Sequence, residues 1–278
     1  MTKKFPLFIA AFIISGSLIF AQNDLDQTAI DSKNLLKDWS IGINYGITQF
    51  DGDIRQYDYT AAEQNGLNYQ DSDFKELRSA FSFSLEKKIN KKISVSIEHV
   101  FGEFAGLRRP NEYLGYTVYD PYEIAVENIE KFGDKFVTSF NETDILLNYD
   151  INSNISKLIK KEIPENLSIS VKMGFGYNVY RSLRTNLYTD EYVYSYGYDE
   201  LTKNESNDAV SESVIVAGAK LKYEFQKGMS LLLDYTVRVS NSDKWDSSIM
   251  EGGQGKDRFS LLSFGLVYDI PEKANTKD

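Results

Sequence analysis

Residues 167–179 read LSISVKMGFGYNV, and this stretch decides the fold. Apolar side chains alternate strictly with small or polar ones, so that Leu167 begins one series and Ser168 begins the other. Because successive side chains of a β-strand point to opposite faces, the stretch predicts a strand with one apolar and one polar face. It is longer than the usual strand of a water-soluble protein, which has about 5–6 residues.

The same two-residue period returns in other segments of the chain. They are residues 39–48, 77–86, 93–102, 144–151, 215–225, 229–239 and 262–270. Long polar connections (51–76, 105–138, 181–211 and 241–257) alternate with tight ones (88–91 and 226–228). This alternation of connection lengths is typical of bacterial outer-membrane barrels. The polar faces are rich in Gly, Ser and Asn, which suits a narrow lumen better than a solvated exterior.

The pattern therefore predicts an all-β fold, a closed antiparallel transmembrane β-barrel of eight strands over residues 38–270. The sheet must close because lipid cannot satisfy open backbone edges. An even strand count places both termini at the periplasmic side, and eight strands leave a lumen filled by side chains. Ten strands, with an extra hairpin inside 105–138 or 183–198, are the structural alternative. A second alternative is a water-soluble barrel with its apolar faces inside.

The two ends of the chain are predicted to lie outside the barrel. Residues 1–21 combine Lys3 and Lys4, an apolar stretch and Ala21, which is typical of a secretory signal peptide cleaved near Ala21. Ser15-Gly16-Ser17 interrupts the apolar stretch and disfavours a membrane-anchoring helix. Residues 22–37 form a polar periplasmic leader and residues 271–278 a C-terminal tail. We expect an exported protein of the outer membrane.

Composition excludes several classes of function. The chain has no cysteine, which excludes disulfides, thiolate metal sites and a cysteine nucleophile. Its formal charge of −10 disfavours nucleic acid as a partner. The single histidine, His99, follows the parity of the lipid-facing side chains, and we interpret it as an interfacial residue. We expect no catalytic residues, no metal, no cofactor and no enzymatic activity.

Two motifs carry a resemblance to a known family. Residues 42–54, GINYGITQFDGDI, resemble the opening strand of small OmpA-type outer-membrane barrels of Gram-negative bacteria. Residues 264–270, FGLVYDI, are similar to the C-terminal assembly signal of such barrels, although here Ile270 is followed by a tail instead of ending the chain on an aromatic residue. The resemblance implies the barrel alone, without the peptidoglycan-binding domain of longer relatives.

Charged residues on the polar faces form the first candidate site. Counted from the periplasmic end of each strand, they are predicted to share the lumen as Glu86, Glu98, Asp144, Lys172, Lys220, Lys222, Asp234 and Arg238. Charges in a narrow interior need partners, because an unpaired one costs several kcal/mol. The favoured interpretation is a salt-bridged plug, and a gated ion path is the alternative.

The connections supply the remaining candidates. A loop aromatic surface is predicted for the evenly spaced Tyr188, Tyr192, Tyr194, Tyr196 and Tyr198. It would pack on itself or stack on a glycan or protein ligand. Residues 152–166 predict a short amphipathic helix beneath the barrel. We expect a structural role or a role in surface interaction, with outer-membrane lipid and lipopolysaccharide as partners. One alternative is a component of a secretion or assembly complex with a periplasmic protein partner. The other is a narrow channel.

Overall fold

The structure is a computed structural model that describes residues 38–52, 54, 74–108, 133–200, 204–205, 209–248 and 256–271. The predicted signal peptide, the polar leader and residues 272–278 lie outside the described residues. Within that part of the chain the elements are β1 (Trp39–Asp51), β2 (Arg78–Lys88), β3 (Ile93–Arg108), β4 (Asp134–Asp150), α1 (Asn152–Ile159), β5 (Leu167–Asn186), β6 (Tyr192–Tyr196), β7 (Val210–Gln226), β8 (Met229–Ser240) and β9 (Arg258–Asp269).

Eight of these strands close one antiparallel barrel. Strands that follow each other in the chain are paired around the ring. β6 is not part of the ring, in which β5 pairs with β7. The ring closes where β1 pairs with β9, from Ser40 opposite Asp269 to Asp51 opposite Arg258. The predicted closed antiparallel barrel of eight strands is confirmed. The ten-stranded alternative is wrong, because β3 pairs directly with β4 and β5 with β7, which leaves no place in the ring for a further hairpin.

The ninth strand, β6, extends the wall at one end of the barrel. Its Tyr196 pairs with Ser182 and its Tyr194 with Arg184, near the end of β5. The pairing of β5 with β7 ends just before this point, at Tyr180 opposite Val210. A hairpin within 183–198 therefore exists, but β6 continues the wall beyond the first residue of β7 instead of adding a strand to the ring.

Side chains are distributed inside out along most of the wall. Large apolar side chains such as Ile43, Phe83 and Phe175 lie exposed on the outer face, where Phe175 is 73% accessible. Charged side chains such as Glu98 and Lys172 are buried inside. A water-soluble barrel requires the reverse, since the hydrophobic effect buries apolar surface away from water. We name the exposed apolar outer face the apolar band. No helix among the residues described is long and apolar enough to cross a membrane.

The distribution reverses beyond the apolar band, most clearly on β3 and β4. There the buried inward side chains are aromatic, as at Phe104 and Phe140, whereas Glu103 and Asn141 point outward and are exposed. This is the arrangement of a strand with its outer face in water. The strands consequently run further than the alternating segments predict. β3 continues to Arg108, and β4 begins at Asp134 instead of at Asp144.

The two ends of the barrel have different connections. At the short-turn end, Lys227 and Gly228 join β7 to β8, with Gly228 at φ +78°, and residues 89–92 join β2 to β3. Residues 151–166 join β4 to β5 and contain α1, so the helix predicted in this connection is confirmed. The strand ends that flank the longer stretches 52–77, 109–133, 187–209 and 241–257 lie at the opposite end, which we name the long-loop end.

Candidate functional site

The middle of the lumen contains a buried group of one lysine and two carboxylates. Lys172 on β5 reaches across the interior, and its Nζ lies 3.0 Å from Glu98 Oε2 and 2.6 Å from Asp234 Oδ2. All three side chains are almost fully buried. These three residues, which the sequence predicts to share the lumen, follow the polar parity of three different strands at a similar depth.

A second buried group lies beside the first. Arg238 Nε donates to Glu142 Oε1 at 2.5 Å, and Arg238 Nη2 lies 3.4 Å from Asp144 Oδ2. Asp144 and Arg238 were predicted to face the lumen, but Glu142 was not. It lies just beyond the predicted fourth segment, which starts at Asp144 because the outward residues above it lose their apolar character. The two-residue period continues through this point and is the signal that identifies Glu142.

The other predicted charges form separate pairs toward the short-turn end. Lys220 Nζ lies 2.7 Å from Glu86 Oε2, and this glutamate also accepts a hydrogen bond from Ser94 Oγ. Lys222 Nζ lies 2.8 Å from Asp269 Oδ1, and Asp269 was not among the predicted charges. The eight predicted residues therefore face the lumen in several local groups at different depths.

These ion pairs cross the interior of the barrel. Lys172 on β5 contacts Glu98 on β3 and Asp234 on β8, and Arg238 on β8 contacts two residues of β4. An ion moving along the axis would meet these pairs, and leaving a buried charge without its partner costs about 3–5 kcal/mol. The arrangement is suited to holding opposite walls together and to closing the lumen.

The long-loop end contains an aromatic core that the sequence interpretation missed. We name as the upper core the inward rings of Phe50, Phe104, Phe136, Phe140, Trp245 and Phe259. The rings of Phe104 and Phe259 are stacked with centroids 4.7 Å apart, and Trp245 packs against both. The alternation of these phenylalanines with polar residues on β3 and β4 is the signal that locates the core.

Trp245 belongs to a segment that folds into the mouth of the barrel. We name residues 241–248 the cap. The carbonyl oxygen of Trp245 accepts hydrogen bonds from Thr138 Oγ1 at 2.5 Å and from Ser182 Oγ at 2.9 Å, and its amide donates to Asp257 Oδ2 at 2.7 Å. The indole is fully buried. The cap is thereby attached to β4, β5 and the residue preceding β9, and it closes the long-loop end.

An ion pair network lies beside the cap. Asp134 is fully buried and accepts two hydrogen bonds of 3.0 Å from Arg108, through Nε and Nη2, and one of 2.5 Å from Arg184 Nε. Arg184 Nη1 also lies 3.4 Å from the carbonyl oxygen of Ser247 in the cap. Bidentate arginine–carboxylate pairs fix geometry as well as charge. This network holds the ends of β3, β4 and β5 at one height.

The tyrosines predicted to form one loop surface take different positions. β6 carries Tyr192, Tyr194 and Tyr196, whereas Tyr188 lies in the preceding turn and Tyr198 makes an isolated bridge with Glu205. The rings of Tyr194 and Tyr196 are 5.2 Å apart, and they share the inward side of the wall with their partners Arg184 and Ser182. Burial raises the pKa of the Tyr196 phenol. All five are half-buried.

His99 lies on the outer face, as predicted. Its side chain is exposed, its Nδ1 lies 3.0 Å from Thr143 Oγ1, and its ring is near that of Phe101. Among the residues described, no group of three or more His, Asp or Glu side chains has an arrangement that would hold a metal ion.

Comparisons with known proteins give matches among solved structures alone. No protein-family model matches the sequence, and no curated protein is similar to it. Solved structures match without sequence similarity. Neisserial surface protein A is 8% identical over 84% of this chain and 98% of that chain, with a TM-score of 0.42. The major outer membrane protein of Thermus thermophilus is 14% identical over 83% and 98%, with a TM-score of 0.38. The N-terminal β-barrel domain of Pseudomonas aeruginosa OprF is 9% identical over 84% and 98%, with a TM-score of 0.37. Similarity at this level says nothing of activity, ligand or partner.

Proposed function

We propose that this protein spans the outer membrane of a Gram-negative bacterium as a closed barrel and acts at the cell surface without enzymatic activity. Its role is structural or one of surface interaction, through the part of the wall that rises beyond the membrane. The long-loop end is then extracellular, and the short-turn end, with both termini of the barrel, is periplasmic.

One observation carries the proposal: the polarity of the wall reverses along single strands. On β4 the outward side chains change from Ile145 and Leu147, both exposed and apolar, to Asn141 and Ser139. The inward side chains change in the opposite sense, from Asp144 to Phe140. A strand whose outer face is apolar over one length and polar over the next fits a boundary between lipid and water at about the level of Thr143.

The surface role is supported by the rigidity of the extracellular wall. The upper core and the Asp134 ion pairs fix β3, β4 and β5 beyond the boundary, and β6 widens this wall. Rigid strands position a binding surface more precisely than mobile loops. The half-exposed Tyr188, Tyr192 and Tyr198 supply amphipathic ring surface for a glycan, lipopolysaccharide or a protein ligand.

Two alternatives have less support. The ion pairs that cross the lumen and the cap that fills its mouth oppose a narrow channel. A role in an outer-membrane secretion or assembly complex would use the periplasmic turns. There α1 is solvent-exposed and contains no buried residue, which makes the helix accessible but does not identify a partner.

Labelling of single cysteines tests location and orientation, since the natural chain has no cysteine. The probe is a maleimide on a polyethylene glycol too large to pass diffusion pores. We expect Tyr198→Cys to react in intact cells and Ser153→Cys, in α1, to react only after the outer membrane is opened. Reaction of both positions only after lysis would contradict the proposed surface exposure.

The surface role has its own test on purified protein. Replacing Tyr188, Tyr192 and Tyr198 by serine removes half-exposed rings without touching the lumen pairs. We expect this triple variant to fold as the natural chain does and to lose retention on immobilised lipopolysaccharide and oligosaccharides. Equal retention of the two proteins, or none by either, would contradict a role for these rings in binding such ligands.

A further inference from the structure

The periplasmic helix α1 exposes apolar side chains that the barrel leaves uncovered. Leu158 is 83% accessible and Ile159 is 54% accessible. The neighbouring turn between β2 and β3 exposes Ile89 at 61%. The two connections are adjacent, because the amide of Asp150 at the end of β4 donates to the carbonyl oxygen of Lys92 at 2.8 Å. The short-turn end thus has an apolar edge made by two connections.

Asn152 fixes the start of α1 at the edge of the apolar band. Its Nδ2 donates to the carbonyl oxygen of Leu167 at 2.6 Å, and its Oδ1 accepts from the amide of Ile169 at 2.8 Å. Leu147 and Val171, on the two strands that α1 connects, are outward residues of the band. The helix therefore begins within a few residues of the level at which lipid ends.

The polar and apolar sides of α1 are separated. Asn152 and Ser156 lie one turn apart and make the hydrogen bonds to neighbouring backbone, Ser156 through Oγ with the amide of Ile163. Successive residues of a helix are rotated by about 100° around its axis. Leu158 therefore lies on the same, apolar side as Ile155, whereas Ser153 and Lys157 lie on the opposite side. A short helix with this separation is suited to lie in a membrane interface.

The charge around these apolar residues is positive. Exposed lysines of the same two connections are Lys91, Lys92, Lys157, Lys160 and Lys161, against Glu162 and Glu165. The chain as a whole is acidic, with a formal charge of −10, so this edge differs in sign from the molecule. Lysines next to a membrane attract anionic headgroups, and their alkyl stems follow apolar surface while the ammonium stays in the polar layer.

We propose that α1 is an interfacial helix that inserts Leu158 and Ile159 into the periplasmic leaflet of the membrane that the barrel spans. Lys157, Lys160 and Lys161 bind the phosphate of its anionic lipids. The inference rests on the proposed membrane-spanning role. A protein partner fits less well, because two or three side chains of an eight-residue helix fall short of the roughly 1,200 Å² that a stable interface buries.

Depth-dependent quenching tests the insertion. The full chain, with a single cysteine carrying an environment-sensitive fluorophore, is reconstituted in phosphatidylcholine vesicles, with or without phosphatidylglycerol, that contain spin-labelled acyl chains. We expect quenching and a blue-shifted emission for Leu158→Cys. Ser153→Cys, on the other side of the same helix, is the matched control and stays unquenched. Phe175→Cys, in the apolar band, reports whether the barrel is embedded.

The outcomes separate the two proposals. Quenching of Phe175→Cys together with equal, weak quenching at positions 158 and 153 would overturn the interfacial helix and leave the embedded barrel intact. Absence of quenching at position 175 would overturn the membrane-spanning role. Adding Lys157→Glu, Lys160→Glu and Lys161→Glu is expected to lower the quenching at position 158 mainly in the vesicles with phosphatidylglycerol. An equal effect in both vesicle types would overturn the binding of anionic headgroups.

Discussion

Lys172 lies between two carboxylates in the interior of the barrel and is itself almost fully buried. Its ammonium balances Glu98 and Asp234, whose carboxylates come from different strands. Removing one partner of a buried ion pair leaves an uncompensated charge, which costs far more than the pair contributes when intact.

We expect Lys172→Met to lower the free energy of unfolding by about 3–5 kcal/mol, because two buried carboxylates lose their partner. The matched control is Lys220→Met, since Lys220 pairs with Glu86 where both side chains are partly accessible. Because water reaches this pair more than it reaches Lys172, that loss should be the smaller of the two. Urea unfolding of both variants in lipid vesicles measures the difference. Equal losses would contradict the two environments.

Trp245 is the residue through which the cap contacts the upper core. Its indole is fully buried among phenylalanine rings. Its carbonyl oxygen accepts hydrogen bonds from β4 and β5, and its amide donates to Asp257, next to β9. The chain contains two tryptophans, Trp39 and Trp245, so either can be observed alone.

In a Trp39→Phe variant we expect the remaining tryptophan to emit at short wavelength and to resist quenching by acrylamide, because water does not reach its ring. In the matched Trp245→Phe variant, Trp39, which is only half-buried at the short-turn end, is expected to be quenched more strongly. Ready quenching of Trp245 by acrylamide would show that the cap does not occupy the mouth.

At the scale of elements, strand identity follows from the sequence and strand ends do not. Alternation predicts the eight barrel strands because each has, along the apolar band, an exposed apolar outer side and an inner side made mostly of small or polar residues. It loses β4 at Asp144 because the outward residue Asn141 is polar and the inward Phe140 is apolar. The period is unchanged at this point, but its polarity is reversed, so Glu142 and the upper core are missed.

The position of the cap cannot be predicted from a local sequence pattern. Residues 241–248 have no periodicity. The position of Trp245 depends on Thr138, Ser182 and Asp257, which are 107, 63 and 12 residues away in sequence. The ion pair of Lys222 with Asp269 is also not predictable from a local pattern. The sequence places each residue on a lumen face, but strand register decides which charges meet.

The pairing of β6 differs from that of the ring strands. β6 pairs with β5 over a few residues, and the register of this pairing shifts between Arg184 and Thr185 of β5. Residues 171–179 of β5, in contrast, pair with β4 on one edge and with β7 on the other. Among the residues described, β6 pairs on one edge, and one-sided pairing opens locally. Hydrogen exchange should therefore release the amides of Tyr192–Tyr196 well before those of residues 171–179. Exchange measured by NMR or mass spectrometry checks this. Equal protection of the two segments would indicate that β6 has a second partner.

At the scale of the whole molecule, the lumen is closed at two levels by different chemistry. Ion pairs cross it within the apolar band, and the upper core with the cap fills the mouth at the long-loop end. Both must be opened for ions to pass.

We consequently expect no stable single-channel conductance from the purified protein in planar bilayers. Shortening the cap to a few glycine and serine residues should leave the bilayer equally silent, because the ion pairs around Lys172 and Arg238 still block the axis. A steady open level in the natural chain would contradict the filled lumen, and one that appears only in the shortened variant would assign the whole barrier to the cap.

A closed barrel with its apolar side in lipid is tested most directly by migration of the outer-membrane fraction on SDS gels with and without boiling. A ring of strands has no free edge for detergent to open, so it resists SDS until heated. We predict that the protein is found in that fraction and that its mobility changes on boiling. Recovery in the soluble periplasmic fraction, with the same mobility before and after boiling, would contradict the account.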